Sequence, residues 1–181
     1  MQMTKVSDSE IMDLLKKKGT LDQGLRLFVK VYGKDLHGFI RTYGLQQADA
    51  DEVFQETLIK LMEKAKSFKG QSSLKTWVWT IARNKTIDHK RKVKRLNIHE
   101  AEGLEDSLRE DPFFNGDEWL IWLHKAVSEL PDTQREVFIL RYFEEMSYEQ
   151  MAKVTGKSKS TLKTSFHYAT GKVAEKLKKQ L

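Results

Sequence analysis

Apolar residues recur at the spacing of an α-helix in one segment of this chain after another, and this periodicity constrains the fold more than any other feature. The clearest stripe consists of Phe54, Leu58, Leu61, Met62 and Ala65, which fall on one side of a helix. Only two prolines interrupt the 181 residues. The sequence therefore predicts an all-α fold in which each helix buries one face.

The periodic segments form two groups with an acidic stretch between them. Residues 96–118 lose the helical spacing and carry eight acidic side chains against one arginine. Pro112, Gly103 and Gly116 would break any long element there. We therefore expect two small helical domains, residues 1–95 and 118–181, joined by a flexible acidic linker at residues 96–117. In the first domain, Gly33 is expected to separate a helix over residues 21–32 from one over residues 36–43.

Composition excludes several kinds of site. The chain has no cysteine, and its five histidines never show a metal-ligand spacing, so neither a metal nor another cofactor is predicted. No apolar run reaches the roughly 18 to 20 residues that span a bilayer, and the N-terminus does not resemble a signal peptide. These features predict a cytoplasmic protein without membrane insertion.

Both predicted domains are basic, and the formal net charge is +6. Such a charge distribution attracts polyanions, and counterion release makes that attraction salt-dependent. A solvated basic surface explains the charge equally well.

Acidic and amide side chains lie on the polar face opposite the stripe that begins at Phe54. They include Glu52, Gln55 and Glu56. From the residues alone, a solvated face is the favoured interpretation. A metal-dependent nuclease using these acids is a weaker alternative, because no histidine or further acid is placed to complete a hydrolytic site. The sequence predicts no enzyme.

The stretch from Lys66 to Arg95 begins as a loop containing Gly70 and continues as a basic helix with two tryptophans. Trp77 falls on the apolar stripe and is predicted to lie in the core. Trp79 falls on a second line of the helix, together with Lys75, Arg83, Thr86 and Lys90. Cations beside an aromatic ring could bind phosphates and stack on a base. Trp79 could instead cap the edge of the core.

The C-terminal domain contains the pattern of a helix-turn-helix, in which a short helix, a turn with one glycine and a longer basic helix follow one another. Thr133 with Glu136, and Ser147 with Gln150, are spaced as capping boxes at two helix starts. Gly156 supplies the predicted turn. An ordinary helical hairpin would show the same pattern, but the lysines at the start of the last helix favour DNA.

Three stretches together resemble the extracytoplasmic-function (ECF) group of sigma-70-like transcription initiation factors. They are ADADEVFQETLIKL at residues 48–61, SSLKTWVWTIARNKTIDHKRK at residues 72–92 and LPDTQREVFILRYFEEMSYEQMAKVTGKSKSTLKT at residues 130–164. The resemblance implies a factor that binds core RNA polymerase, directs it to promoters and promotes strand opening. It also allows for an anti-sigma factor as a partner. The alternative is a helix-turn-helix regulator that acts without being a polymerase subunit.

The resemblance also assigns residues, and it replaces the solvated interpretation of the acidic face with a protein interface. It implies polymerase binding by Asp51, Glu52, Gln55 and Glu56. It implies recognition of the minus-ten element by Phe68, Lys69, Gly70, Ser72, Ser73, Lys75, Trp79, Arg83, Asn84 and Lys90. It implies recognition of the minus-thirty-five element by Lys157, Lys159, Ser160, Thr161, Lys163, Thr164 and His167.

The last helix departs from the family pattern. Arginines usually follow the motif that corresponds to residues 161–164, whereas this chain has Ser165, Tyr168 and Thr170. Because these side chains lack the bidentate fork of arginine, we expect fewer contacts to guanine and phosphate, and weak recognition of the minus-thirty-five element.

Overall fold

The computed structural model describes residues 6–95, 104–109 and 118–180. Within these ranges the chain forms helices and turns and contains no strand, as the periodicity predicted. Most of the predicted linker lies outside the described residues. The α-helices are α1 (Asp8–Lys16), α2 (Leu21–Arg41), α3 (Gln47–Lys64), α4 (Leu74–Arg95), α5 (Leu104–Arg109), α6 (Glu118–Ser128), α7 (Asp132–Phe138), α8 (Tyr148–Thr155) and α9 (Lys159–Lys178).

The first module, described from residue 6 to residue 95, packs α1 and α3 against the long helix α2, and α4 against both α2 and α3. The prediction that Gly33 separates two helices is wrong, because α2 runs unbroken through it. A Cβ atom on Gly33 would lie 3.1 Å from Val29 and 3.9 Å from the Phe54 ring of α3. Glycine therefore leaves room for the Val29 side chain one turn earlier in α2 and does not break the helix.

A 3₁₀ turn at Ala65–Ser67 ends α3, and the following loop leads into α4. Gly70 has a φ of 70° in this loop, a conformation that favours glycine. Ser73 begins α4, since its hydroxyl accepts the backbone N–H of Thr76 at 3.1 Å. The conformation of the loop is thus fixed at Gly70, and its end is fixed by the Ser73 cap.

The second module, described from residue 118 to residue 180, packs α9 against α6, α7 and α8. The capping box of Ser147 and Gln150 at the start of α8 is confirmed. Gly156 ends that helix with a left-handed φ of 71°. The box predicted for Thr133 and Glu136 is wrong, because Pro131 is the residue that precedes α7 and Glu136 lies buried in ion pairs.

Two features join the segments. Within the predicted linker, Leu108 of α5 is 1% exposed and packs on Ile121, while Arg109 pairs with Glu118 at 2.9 Å. The two modules also touch each other, because the buried apolar cluster runs through both of them. None of the helices in the described ranges is long and apolar enough to cross a membrane.

Candidate polymerase and promoter interfaces

The acidic and amide residues proposed for polymerase binding lie on α3 at positions that share one helical face. Two of them are tied to neighbours, since Asp51 lies 2.9 Å from His37 and Glu56 lies 3.0 Å from Lys85. Glu52 and Gln55 are exposed. The face therefore offers two unburied polar side chains beside two that are held in place.

Asp49, Glu52 and His89 bring ligand atoms within 4.8 Å of one another, although the sequence predicted no metal site. Asp49 and His89 lie 40 residues apart and are hydrogen-bonded at 3.0 Å, so sequence spacing could not reveal the group. That hydrogen bond fastens α3 to α4 and gives the group a structural role.

A cleft opens between the loop and α1. We call it the loop cleft, and its volume is about 560 Å³. Five residues predicted for the minus-ten element line it, namely Phe68, Lys69, Gly70, Ser72 and Ser73. The Phe68 ring packs on Trp77, with the ring centroids 4.8 Å apart. Trp77 was predicted to be a core residue, but it is only partly buried and supports the wall of this cleft.

The structure contradicts the prediction that Trp79 faces DNA. Trp79 is fully buried, with ring centroids 5.9 Å from Phe39 and 6.2 Å from Tyr32. Thr86, on the same line of α4, is also fully buried. The physical reason is that α4 packs on other helices with both of its lines, so the line that carries cations is not a solvent face. In this structure no base can stack on Trp79.

The cations of that line are held by acids or carbonyls. The Lys75 ammonium lies 3.1 Å from Glu144 of the second module. Arg83 pairs with Glu136 of α7, and Lys90 donates to the backbone carbonyl of Tyr43 at 2.8 Å. Asn84 is exposed and accepts a hydrogen bond from Arg83 at 2.8 Å.

Glu136 binds a second cation, because the Lys157 ammonium donates to its other oxygen at 2.7 Å. One buried carboxylate thus joins Arg83 of the first module to Lys157 in the turn of the helix-turn-helix. We call this arrangement the Glu136 clamp. Neither Glu136 nor Glu144 was predicted to join the modules, since partners 53 and 69 positions away leave no local pattern.

Glu144 is the other buried acid at the contact between the two modules. Burial raises the pKa of its carboxyl above the usual range, while the Trp79 indole and the nearby Lys75 ammonium act in the opposite direction. Glu144 is therefore closest to neutral when the two modules are packed together.

The predicted DNA-facing residues of the helix-turn-helix lie at the start and on the outer face of α9. Ser158 caps this helix by accepting the N–H of Thr161 at 3.1 Å. The exposed members are Lys159, Ser160, Thr161, Lys163, Thr164 and His167. Lys159 reaches back to Glu149 at 2.5 Å, and Lys163 lies 5.8 Å from the Tyr148 ring. Those lysines are positioned by α8 while remaining open to solvent.

Family models match both modules. The model for Sigma-70 region 2 matches residues 28–96, and that for Sigma-70, region 4 matches residues 120–169.

Curated relatives cover most of the chain. The RNA polymerase sigma factor YlaC of Bacillus subtilis is 34% identical over 136 residues, which are 72% of this chain and 78% of that protein. The RNA polymerase sigma factor SigV of the same organism is 29% identical over 157 residues, 86% of this chain and 92% of that one.

Two solved structures also match most of the chain. The sigma factor RpoE from Bartonella quintana, in complex with the anti-sigma factor NepR, is 28% identical and matches 87% of this chain and 96% of its own with a TM-score of 0.66. CnrH in complex with the cytosolic domain of CnrY matches 96% of this chain and 99% of its own with a TM-score of 0.69, and at 20% identity it shows the fold alone. The chain belongs to the sigma-70 family of RNA polymerase sigma factors, in its ECF group, and is a promoter-specific transcription initiation factor.

Proposed function

We propose that the two modules divide the work of promoter recognition. Residues 1–95 dock on core RNA polymerase and recognise and melt the minus-ten element, residues 96–117 link the modules, and residues 118–181 read the minus-thirty-five element. The observation that carries this proposal is the loop cleft, which gathers five residues of the minus-ten set around one cavity.

The loop cleft suits a single unstacked base. Its volume of about 560 Å³ lies within the range of pockets that bind small ligands. Phe68 offers an aromatic face, and Ser72 and Ser73 offer polar groups. Extrusion of a base from a duplex costs energy, so the sequence that gains most in the cleft is preferred.

Lys75, Arg83, Asn84 and Lys90 are proposed to follow the opened strand, whereas Trp79 is not. In the present arrangement Lys75 and Arg83 are paired with acids of the second module. These two contacts must break before either cation can bind a phosphate.

The second module is proposed to bind duplex DNA through Lys157, Lys159, Ser160, Thr161, Lys163, Thr164 and His167. The start of a recognition helix enters the major groove in proteins of this architecture. Serine and threonine provide single hydrogen bonds where arginine would provide two, so this contact contributes less sequence specificity than the cleft.

Asp51, Glu52, Gln55 and Glu56 are proposed to contact polymerase, because they form a polar face with exposed members at the start of α3. An anti-sigma factor is a further proposed partner, since RpoE was solved with NepR. Sigma factors are generally regulatory subunits without catalytic activity, and we propose the same for this chain. Its place of action is then the cytoplasm, where polymerase and promoters are found.

The test is reconstitution of the chain with core polymerase, with two readouts, namely the affinity for core and promoter-specific transcription. We expect Glu52→Lys with Gln55→Ala to weaken core binding about tenfold or more, because both side chains are exposed and their loss does not disturb the core. Asp22→Lys on α2 is the matched control, since Asp22 is an acid with 77% side-chain exposure outside the proposed face.

Unchanged core affinity in the double variant would remove the docking assignment. Duplex binding by the chain, with no affinity for core polymerase and no specific transcript, would favour the polymerase-independent regulator.

A further inference from the structure

Helix α1 forms one wall of the loop cleft, opposite the loop itself. It brings acidic groups to a site proposed for DNA. Asp8 and Asp13 line the cleft together with Ser9, while Met12, 4% exposed, forms part of the buried floor of the cleft. No pattern in the sequence linked this helix to the minus-ten loop, which lies more than 50 residues away.

Asp8 has a structural task that fixes the cleft. One of its oxygens accepts the Tyr32 hydroxyl at 2.5 Å, and the other accepts the backbone N–H of Leu74 at 3.2 Å. Leu74 is the first residue of α4. Asp8 therefore fastens α1 to the exit of the loop and holds the two walls of the cleft together.

Asp13 has no such task. It is exposed, and among the described residues it forms neither a hydrogen bond nor an ion pair. A carboxylate repels the phosphate backbone, so its place in the cleft suits the edge of a base. Lys16 and Lys69, which also line the cleft, supply the positive charge that a neighbouring phosphate needs.

We infer that Asp13 is a specificity-determining residue of the loop cleft, which selects a base that carries an exocyclic amino group and rejects thymine. This inference rests on the proposed base capture by the loop. An ionised carboxylate only accepts hydrogen bonds. Adenine, cytosine and guanine each offer an exocyclic amino group as donor, whereas the single donor of an unpaired thymine, its N3–H, lies between two carbonyl oxygens that repel a carboxylate.

The neighbouring groups fit this selection. Ser9 on α1 can donate to or accept from a second atom of the same base edge. Phe68 on the opposite side provides a surface for the ring itself. The loop then holds the base, and α1 distinguishes which base is held.

The test uses holoenzyme reconstituted from core polymerase and the full chain. It transcribes a promoter library that is randomised across the minus-ten element, and sequencing of the transcribed templates gives the base frequencies at each position. We expect wild type to disfavour thymine at one non-template position. Asp13→Asn should raise the frequency of thymine there about tenfold relative to the other bases, because the amide adds an N–H that a thymine carbonyl accepts.

Glu10→Gln is the matched control, since Glu10 is an exposed acid on the same helix that does not line the cleft. It should leave all base frequencies unchanged. If Glu10→Gln and Asp13→Asn shift them equally, the effect is one of general charge and the inference is overturned.

A loop variant, Lys69→Ala with Ser72→Ala, separates the inference from the proposed function. If the loop variant changes the base preference at that position and Asp13→Asn does not, the role of Asp13 is overturned while base capture stands. If neither changes any preference, base capture by the loop is overturned as well. Circular dichroism and thermal unfolding confirm that each variant is folded.

Discussion

Substitution of Trp79 by alanine should damage the fold of the first module rather than its contact with DNA. The side chain is fully buried and packs between Phe39 and Tyr32. Replacing a buried tryptophan by alanine costs about 3 to 5 kcal/mol, against a total of roughly 5 to 15 kcal/mol for a domain. With a urea dependence of about 2 kcal/mol per molar, the midpoint of unfolding should fall by about 2 M.

The assay is urea unfolding of the purified chain, followed by circular dichroism. Trp77→Ala is the matched control, because Trp77 is the neighbouring tryptophan and is only partly buried. It should lower the midpoint by less than half as much, while it weakens promoter opening through the Phe68 wall. A Trp79→Ala protein that unfolds at the wild-type midpoint but fails to open promoters would refute the placement of Trp79 in the core.

Three further predictions concern the acids and the histidine of the second module. In the wild-type chain without polymerase, the Glu136 clamp holds Arg83 and Lys157 away from DNA. Glu136→Gln should free both cations, and two additional phosphate contacts by this free chain would steepen the slope of log K against log salt for DNA binding by about 2; Glu129→Gln, which removes the pair with Lys176, should leave the slope unchanged. Because the carboxyl pKa of Glu144 is raised in the packed modules, the contact between the modules should weaken as pH rises from the ordinary pKa of 4.5 through the raised pKa. Fluorescence energy transfer between the modules measures this weakening, and Glu144→Gln should abolish its pH dependence. Burial lowers the pKa of His124 from 6.5 to about 4, so the contribution of this histidine to stability is complete above pH 6.5 and is lost as pH falls towards 4. The free energy of unfolding in urea should therefore fall by about 2 kcal/mol from pH 7 to pH 5. His124→Gln should remove this part of the pH dependence.

Periodicity was sufficient for the helical class of the fold because each outer helix buries one face and exposes the other. It was insufficient for α4, where Trp77 lies on the apolar stripe and Trp79 lies on the line that carries cations, yet Trp79 is the more deeply buried of the two. A helix that packs on several partners has no single buried stripe, so the spacing could not decide which tryptophan lies inside. Gly33 was misinterpreted because a glycine inside a helix and a glycine at a helix break look alike in sequence; here it leaves room for the Val29 side chain.

The candidate site was predictable only where its residues are consecutive. Phe68 to Ser73 form one loop, so their joint position in the cleft follows from the chain itself. Asp13 and Glu136 escaped prediction because their relevant neighbours come from distant helices. Long-range contacts of this kind depend on how the helices pack, which the pattern of apolar residues does not specify.

The Glu136 clamp has a consequence for how the two promoter elements influence each other. Arg83 and Lys157 share one carboxylate, so DNA that withdraws either cation leaves Glu136 with a single partner and loosens the packing that conceals the other. Linkage is reciprocal, and the effect therefore runs in both directions. We therefore predict that occupancy of the upstream element and occupancy of the opened strand are coupled within the chain itself, through a single acidic side chain that touches neither.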